Sequence, residues 1–273
     1  MNMKKSQLTI CILLAMTVLC LAMPVGQNQA QAREGKKLKL GCLAYSEPMV
    51  QWIKEGLEPF GYSVEIIMFD ANQLPATALK DGSIDGIIAN HRPWILTFNR
   101  EKNCNLEMVK PYYFYSFFAV YSVKHKNLED LPQNSKIAVP GDPSNMSRSL
   151  IVLEKAGLIT LNEKSDIFYT VLDIKDNPKK ITLLETEITQ TARSIQDVDA
   201  VITSAYFVSE AAHLDPKDYL FADPQNEEYA LGLIVRSEDL DAEWAKMAMQ
   251  NLRSEEYRKK FKDHYQGKYI LYQ

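Results

Sequence analysis

The stretch Ile137-Ala138-Val139-Pro140-Gly141-Asp142-Pro143-Ser144-Asn145-Met146-Ser147-Arg148-Ser149-Leu150 reads as a short buried strand, a tight turn and the start of a helix. Ser144 is the expected N-cap, and the backbone N–H groups just after it have no partner inside the helix. Those groups, with the positive end of the helix dipole, favour an anion such as a carboxylate. Asn145 and Arg148 lie three residues apart, so both project from one edge of the first turn. A guanidinium is a planar fork that can grip a carboxylate with two parallel bonds. The plainer alternative is a solvated arginine or half of an i,i+4 ion pair. Its partner positions are Ser144, Asn145, Ile151 and Val152, none of them acidic. The apolar ridge Met146, Leu150, Leu153 and Gly157 turns away from Arg148. The segment therefore reads as a seat for a small acid.

Outward from this segment, strands and helices alternate along almost the whole chain. Upstream come a strand Lys37–Cys42, a helix from Glu47 to Phe60 stopped by Gly61, a strand Ser63–Phe69 and a short helix Leu74–Lys80. A uniformly apolar strand, Ile84–Ala89, and a helix Pro93–Glu101 follow. A long extended aromatic run then spans Pro111 to Tyr121. Downstream lie strands at Lys136–Val139, Tyr169–Leu172, Ile181–Glu185 and Ala200–Thr203, with a helix near Thr189–Ile195. A strand Tyr229–Val235 and one amphipathic helix, Asp241–Phe261, close the chain. This order predicts an α/β protein of two lobes with a ligand cleft between them, near the carboxyl ends of the strands. The expected partition is residues 36–118 with 226–273 in one lobe and 119–225 in the other.

Export is written at the start. Lys4 and Lys5 precede an apolar stretch from Leu8 to Val25, and the segment ends in Ala30-Gln31-Ala32. These are the parts of a secretory signal occupying residues 1–32. Cleavage after Ala32, lipid attachment at Cys20 and retention as a membrane anchor are its three possible fates. Removing residues 1–32 takes two lysines from the 31 basic side chains and none of the 35 acidic ones, leaving net −6. An acidic balance argues against nucleic acid as a partner. Cys42 and Cys104 remain; two cysteines make no disulfide framework, and Cys42 reads as a small core residue.

Motifs for chemistry are missing. The chain has no phosphate-cradling glycine loop, no Gly-x-Ser-x-Gly elbow, no His-Glu-x-x-His and no Cys-x-x-Cys. Four scattered histidines suggest no metal cluster, and His125 and His264 read as surface residues. His91 differs, because Asn90-His91-Arg92-Pro93-Trp94 follows directly on a buried strand. It is either a loop histidine bonded to backbone or a polar group at the cleft with Trp94 as an apolar wall. On the aromatic run, Tyr115 and Ser116 are the candidates for the cleft floor. Neither a catalytic residue nor a cofactor or metal is expected. An enzyme on this two-lobed plan would need a nucleophile–base pair, and a sensor or adhesion protein is the other alternative.

The pattern Pro-x-Asp-Pro-Ser-Asn-x-x-Arg-x-Leu resembles the methionine-binding substrate-binding lipoproteins of ABC importers, the NlpA family. The likeness extends through Leu79–Asp85, His91-Arg92-Pro93-Trp94, Glu154–Ile159, Asp199–Ile202 and Leu214–Asp218 to Tyr229-Ala230 and Val235-Arg236. It implies a type II-like periplasmic-binding-protein fold that closes on a small carboxylate-bearing ligand as a monomer and delivers it to an ABC permease and ATPase. It also implies that Arg148 and Asn145 hold the carboxylate while His91, Trp94 and Phe69 help form the pocket. With Tyr45, Tyr115 and Thr203 these make the candidate ligand-binding set. The chain departs from the family at Thr77, Thr203, Ala205 and Leu231-Gly232, where the family has asparagines, and at Tyr115-Ser116, where it has Glu-Pro. Those departures imply altered selectivity for the end of the ligand remote from its carboxylate.

Overall fold

The computed structural model describes residues 36–163, 168–223 and 227–273. The export segment, with Cys20 and the Ala32 site, lies outside the described residues. No described helix is long and apolar enough to cross a membrane.

Two five-stranded sheets organise two lobes. In the first, the strand order is Tyr62–Met68, Lys36–Cys42, Gly86–Ile88, Ile234–Arg236, Leu106–Met108. Lys36–Cys42 runs parallel to both of its neighbours, with Leu40 opposite Ile66 on one side and Gly86 on the other. Ile234–Arg236 returns antiparallel. The second sheet runs Thr182–Thr186, Lys136–Pro140, Ala200–Ser204, Phe118–Tyr121, Tyr219–Ala222. Its central strand Ala200–Ser204 is buried along its whole length, because apolar clusters cover both faces. Helix Glu47–Leu57 buries Met49, Val50, Trp52, Ile53 and Leu57, a helical stripe that seats it on the first sheet.

Several elements break where the sequence suggested continuity. The aromatic run is two strands in two sheets. Phe114–Ser116 pairs with Tyr269–Leu271 and with Ala230–Leu231 in a small third sheet, while Phe118–Tyr121 enters the second. Phe117 alone separates them, and its carbonyl accepts the Ala205 N–H at 2.8 Å. The expected strand Tyr229–Val235 is likewise split into Ala230–Leu231 and Ile234–Arg236. In place of one C-terminal helix there are two, Glu243–Leu252 and Glu255–Tyr265. Ser254 stands at the break in extended conformation, and Glu255 and Glu256 suit the positive end of the new helix.

Val171–Asp173 is a short 3-10 turn rather than strand. The Asp173 carboxylate accepts both the Thr170 N–H and its hydroxyl, a local bonding pattern that competes with sheet pairing. The strand comes next, at Ile174–Asp176. The region near Thr189–Ile195 is helix Ile188–Thr191 continued by a 3-10 turn, Ala192–Gln196. His125 is half-buried, its Nε2 3.3 Å from Asp199 Oδ1, whereas His264 is exposed as expected. Cys42 is a buried thiol, pushed up to about 12 by burial, and Cys104 is also free.

Candidate functional site

Strand Lys136–Pro140 ends at the cleft, and only Gly141 and Asp142 separate it from helix Pro143–Lys155. Asp142, not Ser144, caps that helix. Its Oδ1 accepts the Asn145 N–H at 3.1 Å and the Ser144 hydroxyl at 2.8 Å, while its Oδ2 accepts Asn145 Nδ2 at 2.9 Å. Pro143 explains the offset: its fixed φ suits the first helical position, which leaves the cap to the residue before it. The helix start therefore already holds a carboxylate of its own, and the Asn145 N–H is not available to a ligand.

Arg148 lies one turn further on and is only 2% exposed. Its guanidinium carbon sits 4.2 Å from the Phe118 ring centroid and 4.0 Å from that of Tyr229. Nη2 donates to the Ser116 carbonyl at 2.9 Å. Burial lowers its pKa to about 10, which still leaves it charged at neutral pH. A cation held between two ring faces is oriented by them as well as attracted to them. The solvated-arginine alternative is excluded.

From the first lobe, His91 caps helix Arg92–Lys102. Its Nδ1 accepts the Trp94 N–H at 3.2 Å. That assigns the proton to Nε2, which donates to Asn145 Oδ1 at 2.9 Å. Both sequence alternatives for His91 thus hold together: it satisfies loop backbone and it stands at the cleft. Burial, and next the Arg148 charge, bring its pKa down to about 4, against the opposing effect of the Asn145 bond. A relay runs from His91 through the Asn145 amide to the Asp142 carboxylate, and it fixes which way that amide faces.

These residues border one cavity of about 40 Å³. Of the candidate set, Arg148, Asn145, His91, Trp94 and Tyr45 line it together. Phe118, Ile188, Phe207, Leu231 and Tyr269 supply most of the apolar wall, and Asn72, Asn90, Ser116 and Ser204 add polar groups. No acidic side chain lines it among the described residues. Outside it an open vestibule of about 430 Å³ lies between Ala71–Gln73 and Glu185–Ile188, sharing Asn72, Trp94 and Ile188 with the inner cavity.

Three candidates do not reach the cavity. Phe69 packs over Gly41, where a methyl group would come within 2.9 Å of its ring. Tyr115 faces Tyr272 at 5.3 Å, and its neighbour Ser116 is the one turned to the cavity. Thr203 is fully buried opposite Ala119, and Ser204 takes the cavity position. Successive strand residues face opposite ways, so both strand errors are errors of one residue in phase. Of the family departures, Thr77 is exposed and donates to the Gln73 carbonyl, whereas Ala205 is buried. Asn72, Ile188, Phe207 and Tyr269 come from separate segments without a local signal. Asn90, beside His91 at a strand end, carried a signal that could have placed it in the set. No group of His, Cys, Asp and Glu among the described residues is arranged to hold a metal ion.

A model of the NlpA lipoprotein family matches residues 38–272. The D-methionine-binding lipoprotein MetQ of Escherichia coli K12 is 32% identical over 237 residues, covering 85% of this chain and 86% of that protein. MetQ of Salmonella typhi is 33% identical over 236 residues, covering 85% of each. Among solved structures, a nutrient binding protein from Burkholderia cenocepacia bound to methionine superposes with a TM-score of 0.80 at 31% identity, covering 86% of this chain and 99% of the other. Lipoprotein Tp32 from Treponema pallidum gives 0.82 at 25% identity, covering 87% and 99%.

Proposed function

The chain belongs to the NlpA lipoprotein family, and on that footing we propose that it captures methionine or a methionine-like amino acid between its lobes for delivery to a membrane permease. Its work is solute capture in ABC import at the cell envelope, not catalysis. The observation that carries the ligand assignment is the Arg148 guanidinium, buried between Phe118 and Tyr229 and bordering the cavity. A buried cation facing a cavity without acidic walls favours an anionic group, and its fork suits a carboxylate. Trp94, Ile188, Phe207 and Leu231 give an unbranched thioether chain an apolar place to lie.

In this reading Arg148 grips the carboxylate. Asn145 and His91, locked to each other, shape the seat, and Tyr45 and Trp94 close its sides. Lobe 1, residues 36–118 with 226–273, and lobe 2, residues 119–225, approach each other as ligand contacts from both favour the closed state. The protein works as a monomer that presents this closed form to the permease and its ATPase.

Native mass spectrometry of protein purified without refolding identifies the co-purifying ligand, and titration of that ligand gives its affinity. Arg148→Ala is expected to lower the affinity by about a hundredfold, in line with loss of a charged, buried bidentate contact. An unchanged affinity would remove Arg148 from the site.

A further inference from the structure

Two buried acceptors on the cavity wall have nothing to accept. Asn90 is 4% exposed and sits in the left-handed region, φ 45°, between strand Gly86–Ile88 and the His91 cap. Its Nδ2 donates to the Asn72 carbonyl at 2.9 Å and to Asn72 Oδ1 at 3.0 Å. A backbone carbonyl can only accept, so the Asn90 amide cannot be turned round, and the atom left over is Oδ1. That oxygen is buried without a hydrogen-bond partner. Ser204 is also 4% exposed and starts helix Ala205–Ala212 without capping it. Its hydroxyl faces the Tyr269 phenol but makes no hydrogen bond of ordinary geometry. Both residues line the same cavity as Arg148.

Native structures rarely leave such groups unmet unless a ligand or water supplies the partner. What Asn90 Oδ1 lacks is a donor, which excludes a second carboxylate, an ether or an ester oxygen as its partner. A primary ammonium is all donor, with three N–H bonds and no lone pair. We propose that Asn90 Oδ1 and Ser204 Oγ seat the ammonium of the bound molecule, so that the cavity selects free α-amino acids over amine-lacking and N-acylated acids. This assignment rests on the reading that Arg148 holds the carboxylate, and it fixes the second polar end of the ligand. Asn90 follows a strand of the first sheet and Ser204 ends a strand of the second. One ammonium bonded to both is therefore a contact that only the closed arrangement offers.

Calorimetry with three probes tests the assignment: L-methionine, 4-(methylsulfanyl)butanoic acid, which is the same acid without its amine, and N-acetyl-L-methionine. The variants are Ser204→Ala and Asn90→Gly, the latter keeping the positive φ accessible. The wild type is expected to bind methionine about tenfold to a hundredfold more tightly than either other acid. Each variant is expected to lose about tenfold for methionine while changing less than about twofold for the amine-lacking acid, which also reports that the site is still folded. Equal wild-type affinity for methionine and the amine-lacking acid, or equal losses for both in the variants, overturns the ammonium seat and leaves Arg148 in place. A wild type that binds none of the three overturns the seat and the proposed function together.

Discussion

His91 Nε2 lies 2.9 Å from Asn145 Oδ1, a hydrogen bond between the N-cap of helix Arg92–Lys102 in one lobe and the first turn of helix Pro143–Lys155 in the other. Holding this bond together with the one that Nδ1 accepts from the Trp94 amide needs a neutral imidazole protonated on Nε2.

The pH dependence follows from that tautomer. The groups around His91 are the Arg148 cation, the Asp142 carboxylate and the Tyr229 ring. Burial and then Arg148 depress its pKa from 6.5 to about 4. A group whose pKa is depressed on folding gives its full support above the unfolded value and loses it as pH falls toward the folded one. Stability is therefore expected to be level above pH 6.5 and to decline between 6.5 and about 4, while the affinity of the folded protein holds until His91 itself takes up a proton near 4. Melting and binding curves across this range check it; His91→Gln, which keeps a donor but cannot titrate, should flatten that part of the profile.

Charge alone does not make the seat at Arg148. Arg148→Lys keeps the cation but loses the planar group that fits between Phe118 and Tyr229 and the second donor edge. Affinity for the bound ligand is expected to fall by about tenfold or more, with the fold retained. Calorimetry alongside circular dichroism separates the two effects.

Asp142 supports the site from below. Asp142→Ala removes an N-cap and the acceptor that holds the Asn145 amide. The expected cost is about 1 kcal/mol, or a few degrees in Tm for a chain of this size. Affinity should fall as well, because Asn145 loses its fixed orientation toward His91.

Thr203 gives the opposite result. Its hydroxyl is buried without a partner and away from the cavity. Replacing it with an apolar group of the same shape, Thr203→Val, is expected to leave stability unchanged or raise it, with affinity within about twofold of wild type. A large loss of binding would put Thr203 back in the site.

What was legible in the sequence was what local pattern can carry. The strand–turn–helix at Ile137–Leu150 and the polar break at Asn90–Trp94 both stand where expected, because turn residues and apolar runs mark strand ends directly. The two-lobed α/β plan followed from the alternation of elements. The cap shifted from Ser144 to Asp142 because both residues can cap and Pro143 decides between them. The faces of Thr203 and Tyr115 depend on which strand pairs with which, through Ala119 and Ile270, and no local window contains that pairing. Asn72, Ile188 and Tyr269 meet only because separate loops converge, so nothing in their neighbourhoods announces them.

The single residue between strands Phe114–Ser116 and Phe118–Tyr121 has a mechanical meaning. The Ser116 carbonyl steadies Arg148, and the next carbonyl, that of Phe117, is tied to Ala205 at the head of another helix. Consecutive peptides thus tie the guanidinium and the head of helix Ala205–Ala212 to the one join between the two strands, so any shift at that join moves the arginine's acceptor with it.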